Sequence, residues 1–288
     1  SQAAASKGEG LGNQFLSHIR EVDALVHVVR CFDDGNIIHV EGSVDPVRDI
    51  DTINLELIFS DLELLEKRLD RVKKQMKGDK SLQPEKELIE KIIAALEAEK
   101  PARSLEYTEE DLKLLSSFSL LTMKPVIYAA NVSEDDVVTG NGYVDEVKAF
   151  ADQSGDETII ISAAIEEEIS SLDDESKAEF LDAMGLSDSG LDRLVKASYT
   201  LLGLISFLTT GEMESRAWTV KKGAKAPEAA GKIHTDIERG FIKADTIAYD
   251  KLVEAGSLAQ AREKGWIRSE GKDYVMEDGD VVNFKFNV

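Results

Sequence analysis

The sequence is short of cysteine, of histidine in useful spacing, of long apolar runs and of positive charge. Each shortage excludes something. Cys31 is the one cysteine in 288 residues, which rules out an intramolecular disulfide and fits a reducing, cytoplasmic setting. The four histidines (His18, His27, His39, His234) show no paired metal-ligand spacing with Cys31, which argues against a zinc site. The longest apolar runs, at 125–130 and 201–208, fall far short of the roughly 20 residues of a membrane span, so no membrane association is expected. Residues 1–8 carry no basic start followed by an apolar run, so no secretory signal is visible.

The net charge of −22 argues at first against nucleic acid, whose phosphates an acidic chain repels. The charge is unevenly spread. Residues 205–288 hold 13 basic and 14 acidic side chains, so nearly all the excess lies in residues 1–204. A neutral segment on an acidic chain reads as a separate domain with its own partner surface.

What is present reads as an α/β fold. The runs at 24–32 (ALVHVVRCF), 125–130 (PVIYAA) and 158–161 (TIII) are short and apolar, as buried strands are. An amphipathic pattern at 143–153 separates the last two, and strands alternating with helices imply a parallel sheet. From Ile58, the residues Leu62, Leu65, Leu69, Val72 and Met76 follow steps of four and three, a heptad seam. Pro84 opens a second helix, with Leu88, Ile92 and Ala95 on one stripe. The expectation is a helical coiled-coil hairpin at 56–119 inserted between the two parts of the α/β domain, 1–55 and 120–204. Two ordinary surface helices are the other reading. From residue 205 to 288, short β-like runs and two helical stretches suggest a small α+β domain, with a core of Phe207, Trp218, Phe241, Trp266, Phe284 and Phe286.

The chemistry starts at residues 131–134 (NVSE), which follow one strand directly, while Ser162 and Ala163 follow the next. Ligands of doubly wound sheets bind at the carboxyl ends of strands, so both loops are placed to hold one base. Guanine-specific hydrolases read Asn-Lys-x-Asp in the first loop. Here Val132 replaces the lysine and Glu134 the aspartate, and the longer carboxylate, together with the different donor pattern of the base, favours adenine over guanine. Residues 6–13 (SKGEGLGN) form a glycine-dense loop able to approach phosphate through backbone N–H groups. No G-x-x-x-x-G-K-[ST] phosphate-binding motif occurs anywhere in the sequence.

Taken together, ASKGEGLGNQFL (5–16), VVRCFDDGNIIHVEGSVDPVRDI (28–50), ANVSE (130–134), RAWTV (216–220), AAGKIHTDIERGFIKAD (229–245) and GDVVNFKFNV (279–288) resemble the YchF family of Obg-like ATPases over essentially the whole chain. The resemblance implies a P-loop NTPase-like α/β nucleotide-hydrolase domain, an inserted helical coiled coil and a C-terminal TGS (ubiquitin-like) domain. It implies binding and hydrolysis of ATP in preference to GTP, with Mg²⁺, and association with the ribosome in translation or stress responses. Carried over by position, the nucleotide-binding residues are Asn131, Val132 and Glu134, with Ser162 and Ala163 from the second loop. The family lacks the usual catalytic glutamine, and a histidine of its IIHV segment, here His39, is assigned the water-activating role. An imidazole in a loop leaving a strand suits that role near neutral pH; a plain surface histidine is the alternative.

The sequence departs from the family by lacking its first strand, phosphate-binding loop, switch segment and Asp-x-x-Gly motif. The expectation is therefore a domain without its first elements, with the Mg²⁺ ligands in the missing segment and no metal ligands in this chain. Lys221, Lys222, Lys225, Lys232, Arg239 and Lys243, with His234 among them, form a basic cluster that reads either as a contact to ribosomal RNA or as a solvated surface. A non-catalytic module that docks on the ribosome or RNA through the coiled coil and TGS domain is the rival to the enzyme.

Overall fold

A computed structural model of the chain describes residues 12–33, 43–211 and 214–287, which divide into two units, Ser1–Ser198 and Tyr199–Val288. In the first, helix α1 (Asn13–Glu21) precedes strand β1 (Leu25–Arg30), which pairs in parallel with β2 (Val126–Asn131), and β2 pairs in parallel with β3 (Glu157–Ile161). Arg30 lies opposite Asn131, and Asn131 opposite Ile161, so the three carboxyl ends finish level.

Strand β2 is buried from Val126 through Ala130, which is why its sequence is a continuous apolar run and does not alternate. Strand β1 differs from the expectation of a fully buried strand. Val26 is 41% and Val28 59% exposed, because among the described residues β1 pairs with β2 alone and one of its faces is uncovered. Helix α5 (Gly142–Asp152) returns the chain from β2 to β3 and buries Val144, Val147 and Ala151 in the sheet core. After β3 come α6 (Ala163–Ile169), α7 (Asp174–Ala183) and α8 (Gly190–Leu202).

The helical insertion grows directly out of the α/β domain. Helix α2 (Pro46–Gln75) starts where the Asp45 side chain accepts from Arg48 N and proline takes the first turn. Its first turns bury Ile50 in the sheet core, and its later turns bury Ile58, Leu65 and Val72, every seventh residue, in a second core. Leu62, Leu69 and Met76, the other seam positions, are only partly buried. The partners are α3 (Gln83–Glu97), with Leu88, Ile89, Ile92 and Leu96, and a third layer from α4 (Glu109–Leu115) and Phe118. The element is therefore a three-layer helical body with its own core. Buried Asp61 of α2 ties it to the entry of β2, accepting from Leu121 N (2.9 Å), Thr122 N (2.8 Å) and Thr122 Oγ1 (2.6 Å).

The second unit is a five-stranded mixed sheet in the order β5-β4-β8-β6-β7, from β4 (Leu204–Thr210), β5 (Ser215–Lys221), β6 (Phe241–Ala248), β7 (Arg268–Glu270) and β8 (Asp280–Phe286). Strands β4 and β8 are parallel at its centre, and the other pairings are antiparallel. Ala244, Val282 and Phe284 face one helical layer, α9 (Ala226–Ile233), whose Ala226, Ala229 and Ala230 allow close approach. Ile247 and Val281, of opposite parity, face α11 (Tyr249–Ala255) and α12 (Leu258–Glu263). The short α10 (Thr235–Arg239) and α11 are helices that the residue pattern does not announce. Of the expected aromatic core, Phe207 and Phe284 are buried and Trp218 and Phe241 pack beside them. Trp266 belongs to the second cluster, and Phe286, at the strand end, is 44% exposed and outside the core. No helix among the described residues is long and apolar enough to cross a membrane.

Candidate nucleotide-base site

The level carboxyl ends of β1, β2 and β3 bring three loops together. Cys31 N donates to Asn131 O (2.8 Å), and Val132 N donates to Ile161 O (2.9 Å), extending the sheet one residue past each strand. The Asn131 side chain then crosses to the next loop, where its Oδ1 accepts from Ala163 N (3.0 Å). That single bond fixes the 131–134 loop against the start of α6. Ser162 is 1% exposed and caps α6, its Oγ accepting from Ile165 N.

Asn131, Ser162 and Ala163 therefore meet, and exposed Glu134 opens the short turn that follows. Val132 is placed otherwise than expected: its side chain is 2% exposed within the sheet core, so it cannot lie over a base ring as a lysine stem does. Alternation explains this, since Val132 continues the inward face of a strand both of whose faces are covered. His39 lies outside the described residues. Lys221, Lys222, Lys225, Lys232, Arg239 and Lys243 are all exposed in the second unit. Lys225 reaches Asp273 (3.5 Å), Lys243 reaches Asp245 (3.3 Å) and Lys221 Nζ donates to Leu202 O (3.2 Å), so part of the basic cluster is engaged locally.

Two residues that the sequence reading passed over complete the site. Asn141 caps α5 by accepting from Val144 N (3.0 Å), while its amide donates to Cys31 O (2.8 Å) and Asp136 Oδ2 (3.0 Å). It thereby joins the end of β1 to the loop after β2; an asparagine just before an amphipathic run was the available signal. Gly140, at φ 73°, supplies the left-handed turn that brings Asn141 there. The second is Glu168 on α6, whose carboxyl is a hydrogen-bonding neighbour of Glu134 and, with burial and Asp135 as smaller causes, holds the Glu134 carboxyl above its ordinary range. Nothing in the spacing of 134 and 168 marks that pair.

Beside these loops is a cleft of about 540 Å³ whose lining includes Phe32, Asp33, Ser133, Asp136, Tyr143 and Glu146. Its carboxylates suit neither phosphate nor any other anion. The neighbouring Cys31 is buried, and its thiol is pushed up to about 12 chiefly by that burial, so it is not a nucleophile. The edge as a whole presents an anchored amide, a backbone loop and two neighbouring carboxyls.

Known proteins resemble the chain over nearly its whole length. The ribosome-binding ATPase YchF of Bacillus subtilis (strain 168) is 56% identical over 287 residues, covering 99% of this chain and 78% of that protein. The chain belongs to the YchF family. The corresponding YchF of Haemophilus influenzae is 48% identical over 99% of the chain and 79% of its own length. The solved structure of the Schizosaccharomyces pombe YchF GTPase superposes with a TM-score of 0.82 at 40% identity, covering 96% of this chain and 76% of that one. Residues 204–287 match a family model described as YchF-GTPase_C, a protein of unknown function (DUF933). The α/β architecture with a parallel sheet and a second, mixed sheet is thus the YchF fold.

Proposed function

We propose that the chain is the base-recognition and partner-binding part of a ribosome-associated ATPase, as its relatives' names describe them. The observation that carries this reading is the Asn131 Oδ1 bond to Ala163 N, which locks the two loops into a base-binding edge. Adenine presents one donor, its exocyclic amine, beside an acceptor, N1. A carboxyl oxygen of exposed Glu134 can accept from the amine. Guanine presents two donors there, and the longer Glu134 side chain sets its carboxylate too far forward to meet both, so ATP is favoured over GTP. Base contacts are assigned to Asn131, Glu134 and Ala163, with Ser162 and Val132 supporting from below.

His39 is assigned to orienting the attacking water in in-line hydrolysis. Mg²⁺ accompanying ATP would neutralise charge on the phosphates; among the described residues no group of three or more His, Cys, Asp or Glu side chains stands together as a metal site. The domain reading is a nucleotide-binding part at 1–55 and 120–204, a helical insertion at 56–119 and a TGS domain at 205–288. The exposed basic residues of the last favour a second role, contact with ribosomal RNA.

The test is ATP affinity of the chain extended with a Walker A segment, with and without Asn131→Ala. The variant should bind ATP about fivefold or more weakly, the loss of roughly one hydrogen bond and the order it imposes. Unchanged affinity would reject the base edge and leave the non-catalytic binding module as the better reading.

A further inference from the structure

A separate cavity of about 540 Å³ lies toward the amino ends of the strands, at the root of the helical insertion. Its walls come from α2, from the segment at 99–105 that returns from α3, and from the end of α5. Deep in it, the fully buried Tyr128 hydroxyl faces the Asn54 side chain and the Arg103 guanidinium without forming a hydrogen bond to either. Arg103 Nε is likewise buried without an acceptor, while its Nη2 is held by Asp156 at 3.1 Å. Two buried N–H and O–H groups without acceptors are unusual, because each costs its desolvation unless something accepts from it. What they lack in common is an oxyanion.

The mouth has the opposite character. Asp51 and Glu99 line it, with Lys100 on the same return segment. Burial first, then Glu99 and Asp45, push the Asp51 carboxyl above its ordinary range, a repulsion that a bound ammonium group would relieve. The rest of the wall includes the apolar side chains of Leu55, Leu105 and Phe150. A ligand matched to all three regions carries a carboxylate, an ammonium group and an apolar body.

We propose that this cavity binds a free α-amino acid with an apolar side chain, its carboxylate held by Tyr128, Arg103 and Asn54 and its ammonium by Asp51 and Glu99. The site lies apart from the base edge and does not depend on the nucleotide reading. Since its walls join the helical insertion to the sheet, occupancy would stiffen that junction.

The experiment is isothermal titration of the whole chain with L-leucine, L-methionine and L-phenylalanine, with isoamylamine and N-acetyl-L-leucine as controls lacking the carboxylate and the ammonium. Saturable binding of at least one amino acid and of neither control is expected. Tyr128→Phe should weaken that binding about tenfold while leaving the ligand-free chain at least as heat-stable, because it deletes a hydroxyl without a partner. Asp51→Asn, at an exposed position, should weaken it as well. No saturable binding of any of the three, equal binding of a control, unchanged affinity in both variants, or a lower melting temperature for ligand-free Tyr128→Phe would each overturn the assignment.

Discussion

At the scale of single residues, Glu134 and His27 show how the surroundings set a side chain's chemistry. The Glu134 carboxyl is held above its ordinary range mainly by Glu168, so Glu168→Ala should return it toward that range. Side-chain carbonyl NMR titration measures this directly, and an unmoved midpoint would remove Glu168 from the site. His27 sits on β1 with its ring 5.6 Å from that of Tyr128, and burial lowers its pKa to about 4. The unfolded chain protonates it near the ordinary histidine value of 6.5, so the unfolded state binds the extra proton between those limits. Stability from neutral His27 is complete above pH 6.5 and is lost as pH falls toward 4. At about 1.4 kcal/mol per pH unit of displacement, the loss is at most about 3 kcal/mol. Urea unfolding across that range should show the slope in the parent and a flatter one in His27→Gln; parallel curves would contradict it.

Elements show which features were legible in the sequence and which were not. The strands were legible because β2 is covered on both faces and so reads as one apolar run, and the 131–134 loop was legible because it follows that run directly. The burial of Val132 was not, since a motif gives residue types at a spacing and does not say which way each side chain points. Likewise the heptad steps located α2 and α3, but the third layer of α4 and Phe118 depends on contacts distant in sequence. Asp61 is the same kind of case, an acidic residue within an apolar seam whose meaning is the Leu121–Met123 turn it holds. Asp61→Asn replaces an acceptor oxygen with a donor against N–H groups and should cost about 2–3 kcal/mol. Urea unfolding would show it as a lower midpoint at constant slope. A loss below about 0.5 kcal/mol would mean that the tie between insertion and sheet carries no energy.

At the scale of the whole molecule, the chain forms two compact units, Ser1–Ser198 and Tyr199–Val288. The acidic excess lies in residues 1–204, and the neutral remainder forms a mixed sheet covered by helices on two faces. The aromatic residues predicted most of that core but misplaced Phe286, because a strand's last residue can extend beyond the helical layer that buries its neighbours on the same face. The family membership follows from the whole chain, whereas the proposed preference for adenine rests on a few atoms at one sheet edge. Competition of ATP and GTP for the chain extended with a Walker A segment tests that preference most directly. Tighter binding of ATP is predicted; GTP bound tenfold more tightly, about 1.4 kcal/mol in the other direction, would contradict the account.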